Sequence, residues 1–174
     1  MPLFPLFADL HGREVLVVGG GEVATRKIQA LLRAGAQVLV HARELAPGLQ
    51  TLAAAGRLQR LHGDAVDPRW IERAWLVVAA TDDPALNRDL AGMAAAAKRW
   101  INVVDDAELS SYQVPAVVDR DPVTIAISSA GAAPMLARQL REQLEAEIDP
   151  SLGDLARLFA RHRGRIRERL PSMR

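Results

Sequence analysis

The sequence predicts an α/β fold built on a doubly wound parallel sheet, followed by a small α+β region and the opening of a helical one. Three observations carry that prediction. Glu14–Val18 is a short β-branched run, glycines fill 19–21, and the next apolar residues, Ala24, Ile28, Leu31 and Leu32, recur at helical spacing. This reads as strand, tight turn and amphipathic helix. Gly35 then supplies a left-handed helix end, and Val38-Leu39-Val40 begins a second strand with no room for a hairpin partner between them, so the unit is βαβ. The third observation is that the same alternation continues to about residue 105.

The later elements follow in order. A helix is expected within 47–55, a weak strand at 58–62, a short helix over Pro68–Arg73 and a strong buried strand at 75–80. Next come a helix at 84–97, opened by Pro84, and a strand at 101–104. Their near-continuous Val, Ile, Leu and Ala content fits strands covered on both faces. After Asp106 the rhythm changes: runs at 114–118 and 123–127 are separated by Asp119-Arg120-Asp121-Pro122, too short for a crossover helix, so a hairpin is expected. A helix over Pro134–Glu147 carries Leu136, Leu140 and Leu144 on one stripe and stops at Asp149-Pro150. From Ser151 a last helix is expected to carry Leu152, Leu155, Leu158 and Phe159 inward. Seven arginines then stand between Arg157 and Arg174 against one acid, Glu168, a pattern that usually marks a solvated helix face. That helix has no second layer in the sequence, so the natural chain is expected to continue past Arg174.

Composition removes several function classes. A length of 174 residues suits about one domain, and 49% hydrophobic with 25% charged residues leaves enough apolar surface for a core. Lys plus Arg number 22 against 21 for Asp plus Glu, so no basic surface marks a nucleic-acid binder. The absence of cysteine removes disulfides, thiolate nucleophiles, Cys-ligated zinc and iron–sulfur clusters. The N-terminus has neither the basic start nor the long apolar stretch of a signal peptide, and no run approaches a membrane span. A soluble, cytoplasmic protein is expected. His11, His41, His62 and His162 are scattered, so no permanent metal site is expected.

Gly19-Gly20-Gly21-Glu22-Val23-Ala24 has the spacing G-x-G-x-x-A. The first glycine permits the turn, the second lets backbone approach a pyrophosphate, and the small third residue lets helix and strand pack closely. The helix start adds free N–H groups and a positive dipole end. Between a strand and a helix of a βαβ unit, this pattern predicts a Rossmann-like dinucleotide site, with a glycine-rich turn that holds no ligand as the alternative. The acid that usually closes the second strand is displaced, because that strand ends His41-Ala42-Arg43-Glu44. Glu44 favours NAD and Arg43 tolerates a 2′-phosphate, so these residues leave NAD and NADP both open.

Ligands of an open parallel sheet lie beyond the carboxyl ends of its strands. Two loops there concentrate polar chemistry, Thr81-Asp82-Asp83 and Asn102 with Asp105-Asp106. Asp83 before Pro84 reads as a helix N-cap. Asp105 has no equally good structural use, and from position alone it is either a turn residue or a catalytic carboxylate.

Taken in order, Leu6-Phe7, the stretch from Val17 to Ala24 with Arg26-Lys27, Ala79-Ala80-Thr81-Asp82-Asp83, Asn102-Val103-Val104-Asp105, Ile127-Ser128-Ser129-Ala130-Gly131 and Pro134-Met135-Leu136-Ala137-Arg138 strongly resemble one family. It is the precorrin-2 dehydrogenase and sirohydrochlorin ferrochelatase family, in particular the N-terminal module of multifunctional siroheme synthase. The resemblance covers nearly the whole chain.

It implies NAD-dependent oxidation of precorrin-2 to sirohydrochlorin and then Fe²⁺ insertion to siroheme, both at one site of a homodimer. Iron is then a substrate. The family's catalytic carboxylate falls on Asp105, a general base that takes protons released in both steps. Gly19, Gly20, Gly21, Glu22, Val23, Ala24, Arg43, Glu44, Thr81 and Asp82 are the expected cofactor contacts. The substrate is a polycarboxylate, for which Asn102, Ser128, Ser129, Gly131 and Arg138 are the expected contacts, with Arg120 and the C-terminal arginines adding charge. Ser129 aligns with a serine that the family carries as a phosphorylation site. The implied organisation is a nucleotide-binding domain at 1–113, a dimerisation region at 114–148 and the start of a helical domain at 149–174, with a uroporphyrinogen methyltransferase further downstream in multifunctional members. Two other readings share the glycine turn: a dehydrogenase working with a separate chelatase, and a nucleotide-sensing module of the kind attached to ion channels. The sensing module usually keeps the acid at the end of the second strand and lacks the Ser128-Ser129 segment.

Overall fold

Four apolar runs and the short Gln59–Leu61 segment pair in parallel. The computed structural model describes residues 3–169, so Arg174, the last of the C-terminal arginines, lies outside the described residues. The chain divides into two units, one at Phe4–Gln113 and one containing 114–169.

In the first unit the strands are β1 (Glu14–Val18), β2 (Gln37–His41), β3 (Gln59–Leu61), β4 (Leu76–Ala79) and β5 (Trp100–Val103). The helices are α1 (Glu22–Arg33), α2 (Pro47–Ala54), α3 (Pro68–Arg73) and α4 (Pro84–Ala96). The sheet order is β3-β2-β1-β4-β5 and every pairing is parallel, so the winding reverses between β1 and β4. That reversal is the switch point at which open α/β sheets take ligands. This is the doubly wound, Rossmann-like sheet expected.

Alternate residues of each strand feed two cores. On one face Val15, Val17, Val38, Val40 and Val78 pack with Ala24 and Ile28 of α1 and Leu49 of α2. On the other, Leu16, Val18, Leu39, Val77, Ala79, Ile101 and Val103 pack with Ile71 of α3 and Leu90 and Ala94 of α4. Burial on both faces is what a parallel sheet requires, and it explains why these strands carry no polar alternation. Gly35, at φ 77°, ends α1 as expected, its N–H bonding Leu32 O at 3.1 Å while the Ala36 N–H reaches Leu31 O at 3.1 Å.

The second unit opens with the antiparallel pair β6 (Ala116–Arg120) and β7 (Val123–Ile127). The turn is shorter than the sequence suggested: Asp119 pairs with Thr124 and Arg120 with Val123, leaving only Asp121-Pro122 to connect the strands. Arg120 is kept in the ladder because its side chain donates to Ile148 O at 3.0 Å and Glu145 O at 2.7 Å, closing the end of α5 (Pro134–Glu147).

On α5 the buried position is Ala137, whereas Leu136 and Leu140 stay 53% and 40% exposed. The expectation that the last helix carries its apolar residues inward is corrected. On α6 (Ser151–Arg169) only Gly153 is buried, and Leu155, Leu158 and Phe159 face outward at 47%, 49% and 56% exposure, with Leu152 half-buried. The cause is Gly153: a Cβ there would overlap the carbonyl of Asp121, so α6 meets the hairpin through its first turns only. Beyond that contact no described residue of its own unit covers the apolar stripe. Among the described residues no helix is long and apolar enough to cross a membrane.

Candidate functional site

The turn after β1 assigns each glycine a different task. Gly19 has φ 123°, and a Cβ there would overlap the Ala80 carbonyl, so only glycine lets the ends of β1 and β4 meet. Its N–H bonds His41 O at 2.9 Å. At Gly20 a Cβ would overlap the Glu44 carbonyl, and the Gly20 carbonyl accepts the Ala46 N–H at 2.8 Å, so this glycine seats the loop after β2. That packing role was not visible in the spacing, which treats the middle position as free. Gly21 is the N-cap of α1, with no side-chain cap, and a Cβ there meets nothing within 4 Å. The first intrahelical bond is Thr25 N–H to Gly21 O at 2.9 Å, so the N–H groups of Glu22, Val23 and Ala24 have no partner within the helix. Ala24 is 1% exposed and lies against the sheet. A diphosphate therefore fits here: open space before Gly21, unpaired N–H donors and the positive end of a twelve-residue helix.

At the end of β2, Arg43 and Glu44 are exposed. Their loop is held by Arg60, whose Nη2 donates to Arg43 O at 2.8 Å and Ala42 O at 3.2 Å. Sequence reasoning missed Arg60, because its partners are backbone carbonyls on a neighbouring strand's loop.

After β4, Asp83 is the N-cap of α4, its Oδ1 accepting from Ala85 N–H at 2.9 Å and Leu86 N–H at 3.1 Å. Asp83→Ala is expected to lower stability by about 1 kcal/mol, read as a lower urea midpoint; an unchanged midpoint contradicts the cap. Thr81 is tied into the same loop, its Oγ1 donating to Asn87 Oδ1 at 2.7 Å while Asn87 Nδ2 donates to Thr81 O at 3.0 Å. Asp82 is exposed beside it.

The end of β5 separates two adjacent aspartates by task. Asp106 Oδ1 accepts from Glu108 N–H and Leu109 N–H, each at 3.0 Å, so its carboxylate builds the loop. Asp105 has φ 59°, at the corner of a turn closed by Asp106 N–H to Val103 O at 3.2 Å. The left-handed region is costly for most residues and tolerable for aspartate. Its carboxylate is exposed and makes no hydrogen bond among the described residues. Ser110 and Ser111 close the outer edge of β5, accepting Val103 N–H at 2.9 Å and Ile101 N–H at 2.8 Å through their hydroxyls. Asn102 is 8% exposed; its Nδ2 donates to Tyr112 O at 3.3 Å, and its buried Oδ1 has no partner among the described residues.

Lys27, on the second turn of α1, is half-buried. Burial pulls its ammonium below the ordinary lysine value, the Asp105 carboxylate pulls it back up, and neighbouring Arg26 adds to the lowering. The sequence placed Lys27 in a motif without giving it a task.

The expected substrate contacts other than Asn102 lie in the second unit. Ala130 and Gly131 take φ 52° and 81°. Ser128 Oγ accepts Ala130 N–H at 3.1 Å and Ser129 Oγ accepts Ala133 N–H at 3.1 Å, forming the entry to α5. Arg138 is exposed and pairs with Glu142 at 3.0 Å. Arg120 is committed to the end of α5, as described, and Arg157 to Asp121 and Asp154 at 3.1 and 2.8 Å. Among the described residues no three His, Asp or Glu side chains could together hold a metal ion.

Comparison with known proteins agrees with the fold. A family profile described as "Putative NAD(P)-binding" matches residues 6–116, and one described as "Sirohaem biosynthesis protein central" matches residues 120–147. The chain is 53% identical to a siroheme synthase of Xylella fastidiosa (strain M12) over 171 residues, covering 98% of this chain and 36% of that one. It is 47% identical to the siroheme synthase of Neisseria meningitidis serogroup B over 173 residues, covering 99% of this chain and 36% of that one. The chain thus spans about a third of the length of these relatives. The solved structure titled "SirC, precorrin-2 dehydrogenase" matches with a TM-score of 0.75 at 29% identity, over 91% of this chain and 78% of that one. The fold, the glycine turn and the sequence matched across almost its whole length place the chain in the precorrin-2 dehydrogenase and sirohydrochlorin ferrochelatase family, that of the N-terminal module of siroheme synthase.

Proposed function

We propose that the chain oxidises precorrin-2 to sirohydrochlorin with NAD and then inserts Fe²⁺ to form siroheme, with Asp105 as the general base. The observation that carries this is Asp105 itself: a carboxylate held at φ 59° at the carboxyl end of the sheet, exposed and without a hydrogen bond among the described residues. NAD is the cofactor, and when bound it supplies the hydride acceptor. The N–H groups of Glu22, Val23 and Ala24 hold its diphosphate beyond Gly21, and Arg43 and Glu44 meet the adenosine ribose. Thr81 and Asp82 line the approach after β4. In the oxidation the substrate gives up one hydride and one proton, and Asp105 takes the proton. In chelation two pyrrole N–H protons leave as Fe²⁺ enters, and the same carboxylate accepts protons and attracts the cation.

Asn102, Ser128, Ser129, Gly131 and Arg138 are proposed to meet the substrate's polar groups, and Ser129 is a candidate phosphorylation site. The experiment is anaerobic incubation with precorrin-2 and NAD⁺, followed by Fe²⁺. NADH and the sirohydrochlorin spectrum should appear first, and the siroheme spectrum only after iron. No NADH removes the dehydrogenase, whereas NADH without siroheme leaves a dehydrogenase served by a separate chelatase.

The second unit is proposed to dimerise, with 114–148 as the dimerisation region. Met135 and Leu136 on α5 and Val117 on β6 are 75%, 53% and 40% exposed, an apolar surface of the kind an interface covers. Leu136→Glu is expected to convert a dimer to a monomer in sedimentation; an unchanged dimer, or a monomeric parent chain, contradicts this assignment.

A further inference from the structure

We propose that Arg60 is the positioning residue for the adenosine half of the cofactor: from β3 its guanidinium bridges the carbonyls of Ala42 and Arg43 and fixes the loop whose exposed side chains, Arg43 and Glu44, meet the ribose. This deepens the reading of that loop as the ribose contact and rests on it.

Strand parity makes position 60 a core position. It is in phase with buried Leu58 and pairs in register with buried Val40, so it belongs to the sheet face that packs on α1 and α2. Arginine stands there in place of an apolar residue, half-buried, with its Nε buried and unpartnered among the described residues. No carboxylate among those residues forms an ion pair with it. Withdrawing a guanidinium from water without an anion costs free energy, so the arginine has a use other than packing. The two carbonyls do not require it for their own sake, because water satisfies the backbone of an exposed loop equally well. What the guanidinium adds is a single loop conformation.

The remaining ties of the loop run to the diphosphate turn and to α2. Gly19 N–H reaches His41 O at 2.9 Å, Gly20 has no Cβ to displace the Glu44 carbonyl, and Ala46 N–H reaches Gly20 O at 2.8 Å. Gln50 Nε2 donates to Leu45 O at 2.8 Å. Arg60 supplies the two links that these leave out, so every carbonyl from His41 to Leu45 is held by its own unit and the side chains of Arg43 and Glu44 remain exposed. The ribose loop thereby keeps a fixed spacing from the turn that takes the diphosphate. Two contacts of one ligand are set before it binds, which is how pre-organisation raises affinity.

Calorimetry on the 174-residue chain tests this with NAD⁺ and with ADP, which carries the adenosine ribose and a diphosphate but no nicotinamide. Arg60→Met should weaken both about tenfold, the loss expected when a freed loop holds its binding conformation about a tenth of the time. Arg60→Gln, too short to span both carbonyls, should do the same and serves if Arg60→Met does not fold. Arg60→Lys should recover most of the affinity, since both bonds come from one nitrogen and an ammonium has the donors to make them. In assays with precorrin-2, Arg60→Met should raise KM for NAD⁺ while kcat stays within about twofold, because the reacting ring lies at the other end of the cofactor. An arginine that only supports the fold would lower the urea midpoint and leave ADP affinity unchanged. That result, or a loss of kcat in place of affinity, overturns the proposal. If the parent chain makes no NADH, the dehydrogenase reading falls while ADP calorimetry still decides the role of Arg60. A parent chain that binds neither NAD⁺ nor ADP overturns both.

Discussion

Asp105→Asn is expected to lower precorrin-2 oxidation by about two to four orders of magnitude, the usual worth of a positioned general base, and to leave NAD⁺ affinity within about twofold. Two features make the variant informative. The side chain makes no hydrogen bond among the described residues, so its loss breaks no scaffold, and asparagine tolerates the left-handed φ of 59° as aspartate does. Alanine is less forgiving at that φ and should cost about 1 kcal/mol of stability in addition. Comparing the two variants separates strain from chemistry. Normal turnover in Asp105→Asn removes the residue from the mechanism. Asp106→Asn provides the contrast, since that carboxylate supports the 106–109 turn and should show its effect in stability.

Gly21→Asp is expected to abolish detectable NAD⁺ binding while the protein stays folded. A Cβ at 21 meets nothing within 4 Å, and φ is −83°, ordinary for any residue. Aspartate is a good N-cap, so the melting temperature should hold or rise. What the side chain does meet is the ligand: it fills the diphosphate's space and sets a carboxylate against it at the helix N-terminus. Gly19→Ala should behave in the opposite way. Its φ of 123° and the Ala80 carbonyl leave no room for a methyl group, so stability falls before binding can be judged. Undiminished NAD⁺ binding by folded Gly21→Asp refutes the turn as the cofactor site.

The strands were legible in the sequence because a parallel sheet buried on both faces writes itself as β-branched runs bounded by glycine and proline. β1, α3 and α5 match their expected limits. Asp83 was legible because an N-cap acts within three residues of chain. What escaped depends on residues that only folding brings together. Gly20 seats Glu44, and Arg60 reaches the carbonyls of Ala42 and Arg43. The hydroxyls of Ser110 and Ser111 act as a substitute neighbour for edge strand β5, which no pattern of polar residues announces. The inward reading of Leu155, Leu158 and Phe159 failed for a different reason: helical spacing reveals an apolar face but not what covers it. The left-handed corner at Asp105 was hidden because the residue is not glycine.

The most direct test is a crystal structure of the chain with NAD⁺ bound. The account predicts the diphosphate on the N–H groups beyond Gly21 and the nicotinamide ring facing the Asp105 carboxylate, with room beside it for a flat tetrapyrrole. A diphosphate seated elsewhere, or a nicotinamide directed away from Asp105, contradicts it.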